Sequence, residues 1–126
     1  MFSLRDNKPE IPFPNMPDIL GGHMEEGETP EKTARRELAE ELEHTDTGEP
    51  FQPSDIKHFK SYVDERGFGQ HIFTCQLKTT PNLHLKEGQR LVFFDRDALY
   101  ATDFAFNFGP VIREYAETIR TNPHRH

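Results

Sequence analysis

The segment from Thr29 to His44 is the feature that most restricts how this chain folds. Thr29 followed by Pro30 is a typical helix start, because threonine caps the first turn and proline fits the first helical position. Good helix formers continue to about His44. Apolar residues recur at every fourth position: Ala34, Leu38 and Leu42. The helix therefore has a narrow apolar stripe, which we expect to pack on a sheet.

Strands are predicted on both sides of this helix. Before it come a short strand over Met1–Arg5, a proline-rich loop over 7–17 and a brief strand at Ile19–Leu20. After it come strands over 56–63, 71–77 and 91–94, a hairpin turn at 67–69, and a closing helix over 110–119. This order predicts an α/β fold in which a mixed sheet is sandwiched by helices.

Composition limits the size of the protein and its partners. A chain of 126 residues, with 33% hydrophobic residues and a mean hydropathy of -0.82, fits one domain. We place this domain at 1–122 and a loose tail at 123–126. The net charge of -7 argues against binding to a nucleic acid polymer, which needs many basic contacts to phosphates. An acidic protein that handles a phosphorylated small molecule usually needs divalent cations in between.

Cysteine usage and hydropathy bear on the cellular setting. Cys75 is the only cysteine, so no intramolecular disulfide forms, which favours a reducing, cytoplasmic environment. No apolar run approaches the roughly 20 residues that cross a bilayer. Residues 1–6 are too few and too polar for a signal peptide. We expect a soluble protein with no membrane partner.

Three glutamates form an acidic face on the predicted helix. Glu37, Glu40 and Glu41 lie within an arc of about 100°, next to the apolar stripe. Carboxylates at this spacing repel by a few tenths of a kcal/mol per pair, whereas Mg²⁺ prefers oxygen ligands and reverses the effect. Arg36 can pair with Glu28 across the turn. The alternative is a solvated helix face, which the composition alone favours.

The spacing around this helix resembles the Nudix box. That pattern is Gly, five residues, Glu, seven residues, then Arg-Glu-apolar-any-Glu-Glu-any-Gly-apolar. The positions in register are Gly22, Glu28, Arg36, Glu37, Leu38, Glu40 and Glu41. Seven specified positions at fixed offsets are hard to reach by chance, so the solvated-face alternative becomes the weaker one. Glu43 replaces the glycine and His44 the apolar residue, so Glu43 either extends the helix or strains an end that glycine normally caps.

The resemblance implies an α/β/α sandwich and hydrolysis of a nucleoside diphosphate linked to another group. It implies a site for Mg²⁺, or Mn²⁺, with these ligands: Gly21 through its carbonyl, Glu37, Glu40 and Glu41. Glu40 and Glu41 are then the catalytic carboxylates, and water activated by the metal attacks phosphorus without a covalent intermediate. Glu28 and Arg36 are the structural pair.

Candidates also lie outside the box. Glu87 precedes a predicted strand as in MutT-type enzymes, and is a candidate base or further metal ligand, or an ordinary turn glutamate. Asn107 resembles a base-contacting asparagine of those enzymes, and Arg5 is a candidate substrate contact in the segment before the box. Phe106, between Phe104 and Phe108, either stacks on a base or belongs to the core.

The start of the chain is shorter than the resemblance implies, because only Met1–Ser3 precede the Leu-Arg-Asp segment. Part of the first strand is therefore expected to be missing. An open sheet edge invites pairing with a second copy, so a homodimer is a hypothesis.

Two further functions compete with the active hydrolase. One is a catalytically weak or inactive nucleotide-binding or regulatory module, and the other is a purely structural helix without metal. The residues leave the substrate open among oxidised nucleotides, ADP-ribose, nucleotide sugars and dinucleoside polyphosphates, because substrate specificity resides in loops.

Overall fold

The computed structural model describes residues 1–77 and 82–120, and the predicted tail at 123–126 lies outside them. The elements of the described residues are β1 (Phe2–Leu4), β2 (Pro17–Asp18), α1 (Pro30–Glu41), β3 (Leu42–His44), β4 (Ile56–Val63), β5 (Gly69–Cys75), β6 (Leu83–Leu85), β7 (Arg90–Val92), α2 (Arg96–Ala101), a 3-10 turn (Ala105–Asn107) and α3 (Gly109–Arg120). They fall into two compact units. The first comprises residues 1–20 and the described residues from 87 onward, and the second comprises residues 21–86.

The first unit contains a three-stranded antiparallel sheet in the order β2-β1-β7. Ser3 lies opposite both Asp18 and Leu91, so β1 is paired along both of its sides. Next to the sheet, the rings of Phe2, Phe94 and Phe104 contact one another with centroids 5.0–5.7 Å apart. A pair of this kind contributes about 0.5–1.5 kcal/mol beyond its buried area.

Helices α2 and α3 supply most of the buried side chains of the first unit. Helix α2 starts at Asp95, whose carboxylate accepts a hydrogen bond from the Ala98 N–H (2.8 Å). The buried residues of this unit are Leu99, Phe104, Ala105, Gly109, Val111, Ile112 and Ala116. The three from α3, at 111, 112 and 116, have the spacing of one helix face, which explains why its hydrophobic pattern predicts it well.

Helix α1 is the first helix or strand of the second unit along the chain. Thr29 Oγ1 accepts a hydrogen bond from the Lys32 N–H (3.2 Å), which confirms the predicted cap. The prediction that the helix runs to His44 was wrong. It ends at Glu41, and the fully buried Leu42 takes an extended conformation as the first residue of β3. Strand β3 pairs with β6, with Leu42 opposite Leu85, so a long-range pairing overrides the local helix propensity.

The longest strands of the second unit form the hairpin β4–β5. The predicted strand over 56–63 is confirmed, and its partner lies at 69–75 instead of 71–77. The pairing register shifts between His58 and Lys60, which is a β-bulge. Asp64 closes the turn because its carboxylate accepts hydrogen bonds from the Arg66 and Phe68 N–H groups.

Other elements differ from the sequence prediction. The short strand before the box lies at Pro17–Asp18 and not at Ile19–Leu20, and β7 ends at Val92 instead of Phe94. Strand β6 and helix α2 were not predicted, since each is too short to show a period. The mixed α/β content is confirmed, and every strand pair within the described residues is antiparallel. The sandwich, its mixed sheet and the single domain over 1–122 stay predictions.

No helix within residues 1–77 and 82–120 is long and apolar enough to cross a membrane.

Candidate active site

Arg36 on helix α1 joins the helix to the loop before it. Its Nε donates to Glu28 Oε2 (2.7 Å) and its Nη2 to Glu28 Oε1 (3.0 Å), which is a bidentate pair. Nη2 also donates to the His23 carbonyl (2.9 Å). The side chains of Arg36 and Glu28 are only 23% and 16% exposed, so the pair is partly shielded from water. The predicted structural pair is present, and it fixes the loop over 23–28 to the helix.

Glu28 accepts hydrogen bonds from other groups in addition to those from Arg36. Its Oε1 accepts hydrogen bonds from the Glu25 N–H (2.7 Å) and from the hydroxyl of the buried Thr33 (3.0 Å). The hydrogen bonds from Arg36, followed by the one from the Glu25 backbone, lower the pKa of Glu28 to about 2. The same pairing with Glu28 raises the pKa of Arg36. Glu28 therefore stays ionised over the whole physiological pH range.

The other side of the Arg36 guanidinium faces two of the predicted metal ligands. Nη1 donates to Glu37 Oε1 (2.9 Å) and to Glu40 Oε2 (3.2 Å), and it lies 3.7 Å from Glu25 Oε1. One cation thus offsets the mutual repulsion that the spacing of these carboxylates creates. Glu37 is well covered, with 15% of its side chain exposed, whereas the side chain of Glu40 is 58% exposed.

The glycines at the start of the box leave room for a carboxylate. A Cβ atom at position 22 would overlap the carboxylate of Glu37, so only glycine allows this close approach. Gly21 has a φ of 151°, a conformation that side chains rarely adopt. The backbone at Gly22 therefore lies directly against the Glu37 carboxylate of α1.

Glu41 is the last residue of α1 and differs from Glu40 in its surroundings. Its Oε2 atom is buried, and its backbone carbonyl accepts a hydrogen bond from the Lys86 N–H (2.8 Å). This hydrogen bond fixes the end of helix α1 to Lys86, the residue that follows β6.

The donor set fits Mg²⁺, although the described residues do not form a closed cage. Within residues 1–77 and 82–120, no three His, Cys, Asp or Glu side chains converge closely enough to hold an ion by themselves. Mg²⁺ does not require this, because it is commonly held by one or two carboxylates, water and substrate phosphates. The carboxylates of Glu37, which lies beside Gly22, and of Glu41 are oxygen donors of the required kind.

The predicted substrate contacts Arg5 and Phe106 meet in the first unit. The Arg5 guanidinium carbon lies 4.8 Å from the centroid of the Phe106 ring. Arg5 Nη1 pairs with Asp18 Oδ2 (3.1 Å), and its Nε donates to the Pro12 carbonyl (2.9 Å), so its position is fixed. Burial raises the pKa of Asp18, an effect that the hydrogen bond from Arg5 partly opposes.

Sequence reasoning missed Phe13, which completes this cluster. Its ring packs edge-on against Phe106, with centroids 4.8 Å apart, and 41% of the residue is exposed. Phe13, Phe106 and Asn107 have φ values of 51°, 55° and 59°. Such left-handed conformations are costly for bulky residues and occur mainly at functional or tightly constrained sites. No sequence signal indicates the left-handed backbone at Phe13 and Phe106, because phenylalanine does not favour this conformation, whereas asparagine adopts it more readily.

The remaining predicted residues take separate places. Phe104 is a core residue, while Phe106 and Phe108 are half-buried and contact each other at 6.4 Å. Asn107 is exposed at the end of the 3-10 turn. Glu87 is exposed in the bend before β7 and belongs to the first unit, whereas the three glutamates of α1 belong to the second. A shared role for Glu87 and those glutamates therefore stays a prediction.

A family model described as the NUDIX domain matches residues 3–115 of the chain, which is most of its length. The chain belongs to the Nudix family. Members of this family generally hydrolyse phosphorus-containing anhydrides and typically use divalent metals such as Mg²⁺. No curated protein and no solved structure matches the chain.

The departure from the Nudix box at its end has a structural explanation. Glu43, at the position of the box glycine, neither extends the helix nor caps it, because it lies in β3 opposite His84. It also forms an isolated β-bridge with Pro50. The helix has already ended at Glu41, and Leu42 has an extended conformation, so no left-handed residue is needed at position 43.

Proposed function

We propose that this Nudix protein is a Mg²⁺-dependent hydrolase that cleaves a phosphoanhydride bond in a nucleoside diphosphate linked to another group. The observation that carries the proposal is the bidentate Arg36–Glu28 pair beside Glu37, within a family match over residues 3–115. This pair fixes the loop of the box to the helix that carries the acidic residues. Glutamates that only formed a solvated helix face would not need a loop fixed beside them in this way.

The metal-binding residues are Glu37, Glu40, Glu41 and the carbonyl of Gly21. Mg²⁺ at these oxygens supplies a Lewis acid for the phosphate groups and lowers the pKa of the attacking water. Glu37 is oriented by Arg36 and by the close approach of Gly22. Glu40 and Glu41 are the catalytic carboxylates. Because the Oε2 atom of Glu41 is buried, replacement of Glu41 should reduce turnover more than replacement of the exposed Glu40.

The nucleoside is bound by the cluster of Arg5, Phe106 and Asn107, extended by Phe13. The proposal is supported by the exposed ring of Phe13, the stacking of Arg5 on Phe106 and the left-handed backbone at three of these residues. An exposed aromatic ring near a guanidinium suits a base and a phosphate. Glu87 is the further base or metal ligand, and a homodimer is the proposed assembly.

The decisive experiment is a turnover assay with and without Mg²⁺ on oxidised nucleotides, ADP-ribose, nucleotide sugars and dinucleoside polyphosphates. Release of a nucleoside monophosphate or phosphate is measured for the wild type, for Glu41→Gln and for Glu31→Gln. Glu31 is an exposed acid in the first turn of the same helix, so Glu31→Gln is the matched control. We expect Glu41→Gln to lose at least about 100-fold in turnover and Glu31→Gln to remain active.

Two outcomes contradict the proposal. Nucleotide binding without turnover on any substrate of the panel favours the regulatory module instead. Equal activities of the two glutamine variants, with no effect of Mg²⁺ on thermal stability, favour a purely structural helix.

A further inference from the structure

Two exposed histidines of the hairpin β4–β5 face the same serine. Ser61 Oγ lies 2.7 Å from His58 Nε2 and 2.7 Å from His71 Nδ1. Two imidazole nitrogens therefore converge on one oxygen atom. The distance between these nitrogens cannot exceed the sum of their two distances to the oxygen. The three residues share no member with the acidic site and have no part in the proposed hydrolysis.

The β-bulge of β4 brings these residues onto one face. In a regular strand, residues three apart point to opposite faces, so His58 and Ser61 would be separated. The register shift between His58 and Lys60 removes this separation. His58 then lies opposite Phe73 and Ser61 opposite His71, and positions 71 and 73 share a face. Bulges commonly re-aim side chains in this way and are frequent at functional sites.

The neighbours of the two histidines on strands β4 and β5 carry no charge that would oppose a cation. The ring of Phe73 packs edge-on against His58, with centroids 5.5 Å apart, and so restricts the orientation of this imidazole. Strand pairing places Lys57 and Lys60 opposite Thr74 and Ile72, on the other face. The strand residues that share the histidine face are uncharged: Ile56, Val63, Gly69, Phe73 and Cys75. No lysine of these two strands therefore repels an ion bound between the rings.

The protons between the three side chains are replaceable. A serine hydroxyl has one proton, so it donates to one ring and accepts the N–H of the other. In the tautomers that point both lone pairs inward, the two rings offer a pair of nitrogen ligands. Neutral imidazole binds Zn²⁺ at about 2.0–2.1 Å and is a usual ligand for Zn²⁺, Cu²⁺ and Ni²⁺. Mg²⁺ prefers oxygen ligands, so it is not expected here.

We propose that His58 and His71 form a surface site for one divalent transition-metal ion such as Zn²⁺. Ser61 keeps the two rings together before the ion arrives, and water completes the coordination. With only two protein ligands, the site binds reversibly, and its occupancy follows the concentration of the free ion.

The test is calorimetric titration of the full chain with Zn²⁺ alone, combined with NMR of the histidine rings. We expect resonances of His58 and His71 to shift and either His→Ala variant to lose at least about tenfold in affinity. His84→Ala is the matched control, because His84 is also an exposed strand histidine. A His124→Ala/His126→Ala variant controls for the histidines near the C-terminal end. Both controls keep the wild-type affinity.

A variant that should bind Zn²⁺ more tightly tests the same geometry independently of the variants that should lose affinity. In Ser61→Cys a thiolate occupies the point on which both rings converge, so Zn²⁺ should bind at least about tenfold more tightly than in the wild type. The gain disappears when His58→Ala and His71→Ala are added. Binding that is unchanged in both single histidine variants, or a cysteine gain that persists without the histidines, overturns the proposal. Glu41→Gln leaves this binding unchanged, so the test is independent of the proposed hydrolysis.

Discussion

Two arginines with different surroundings organise the two candidate binding regions of this molecule. The partners of Arg36 all lie between His23 and Glu40, and they are carboxylates and one carbonyl. Arg5 combines the carboxylate of Asp18 with the ring of Phe106, from the other end of the sequence. The first cluster is set by local spacing and by charge, whereas the second depends on long-range folding. Under the proposed function, the first cluster governs metal affinity, because it includes the proposed ligands Glu37 and Glu40, and the second governs substrate affinity.

Replacement of Arg36 is expected to give the largest effect. Arg36→Ala leaves Glu28 without its bidentate partner and releases Glu37, so we expect the apparent Mg²⁺ affinity in turnover assays to fall about 10–100-fold. Arg35→Ala is the matched control. Arg35 pairs with Glu31 (3.2 Å) and donates to the Pro53 carbonyl (2.8 Å), but it contacts none of the box acids by these bonds. Equal Mg²⁺ affinities in the two variants would refute the supporting role of Arg36.

Removal of the Phe106 ring should act on the substrate instead. Stacking of a base on an aromatic ring contributes about 1–3 kcal/mol, so we expect KM to rise about tenfold in Phe106→Ala, with the apparent Mg²⁺ affinity unchanged. Phe68→Ala is the control, since Arg66 lies 5.2 Å from the Phe68 ring in a similar arginine–phenylalanine pair on an exposed turn. A loss of kcat with constant KM, or a similar change in Phe68→Ala, argues against nucleoside binding at this cluster.

The same contrast explains which parts of the structure the sequence predicts. The start of α1 at Thr29–Pro30 and the Glu28–Arg36 pair follow from spacings of a few residues, so they are predictable and were found. The end of α1 was not. Residues 42–44 have good helix propensity, yet they pair with 83–85, a partner about forty positions away that no local pattern reveals.

The aromatic cluster shows a second kind of limit. Asn107 was predicted as a substrate contact only through a resemblance, Phe106 was predicted either to stack on a base or to belong to the core, and Phe13 was not predicted at all. Their left-handed backbone depends on tertiary contacts such as the Phe13–Phe106 packing, which the sequence of either segment alone does not encode. The histidine pair on β4–β5 has the same origin, because a single bulge decides whether His58 faces His71.

The Arg36 cluster also predicts a pH dependence of stability. The pKa of Glu28 is about 2 in the folded chain, below the value of about 4.3 for an unperturbed glutamate. The unfolded state therefore binds more protons between these values, and the contribution of Glu28 is fully present above about pH 4.3 and is lost as pH falls toward 2. Glu28→Gln should flatten the free energy of unfolding against pH in this window.

Glu31→Gln provides the comparison for this titration. Glu31 is an exposed acid of the same helix and pairs with Arg35 at 3.2 Å. Exposed pairs of this kind contribute little, so its replacement should leave the slope between about pH 2 and 4.3 close to that of the wild type. Denaturant unfolding at several pH values measures both slopes. A wild-type slope in Glu28→Gln would show that Glu28 is not the titrating group.

The smallest effect is expected where the sequence departs from the family pattern. Glu43→Gly restores the box glycine, but Glu43 lies in a strand opposite His84 and not at a left-handed helix cap. Glycine in a strand costs about 0.5–1 kcal/mol in stability, and the Lys86–Glu43 ion pair (3.6 Å) is too exposed to add much. We therefore expect a slightly lower free energy of unfolding and unchanged turnover. Glu43→Ala separates the lost side chain from the backbone effect of glycine. An increase in stability specific to Glu43→Gly would mean that a left-handed cap is favoured here after all, and that the helix end in solution differs from the strand observed at 42–44.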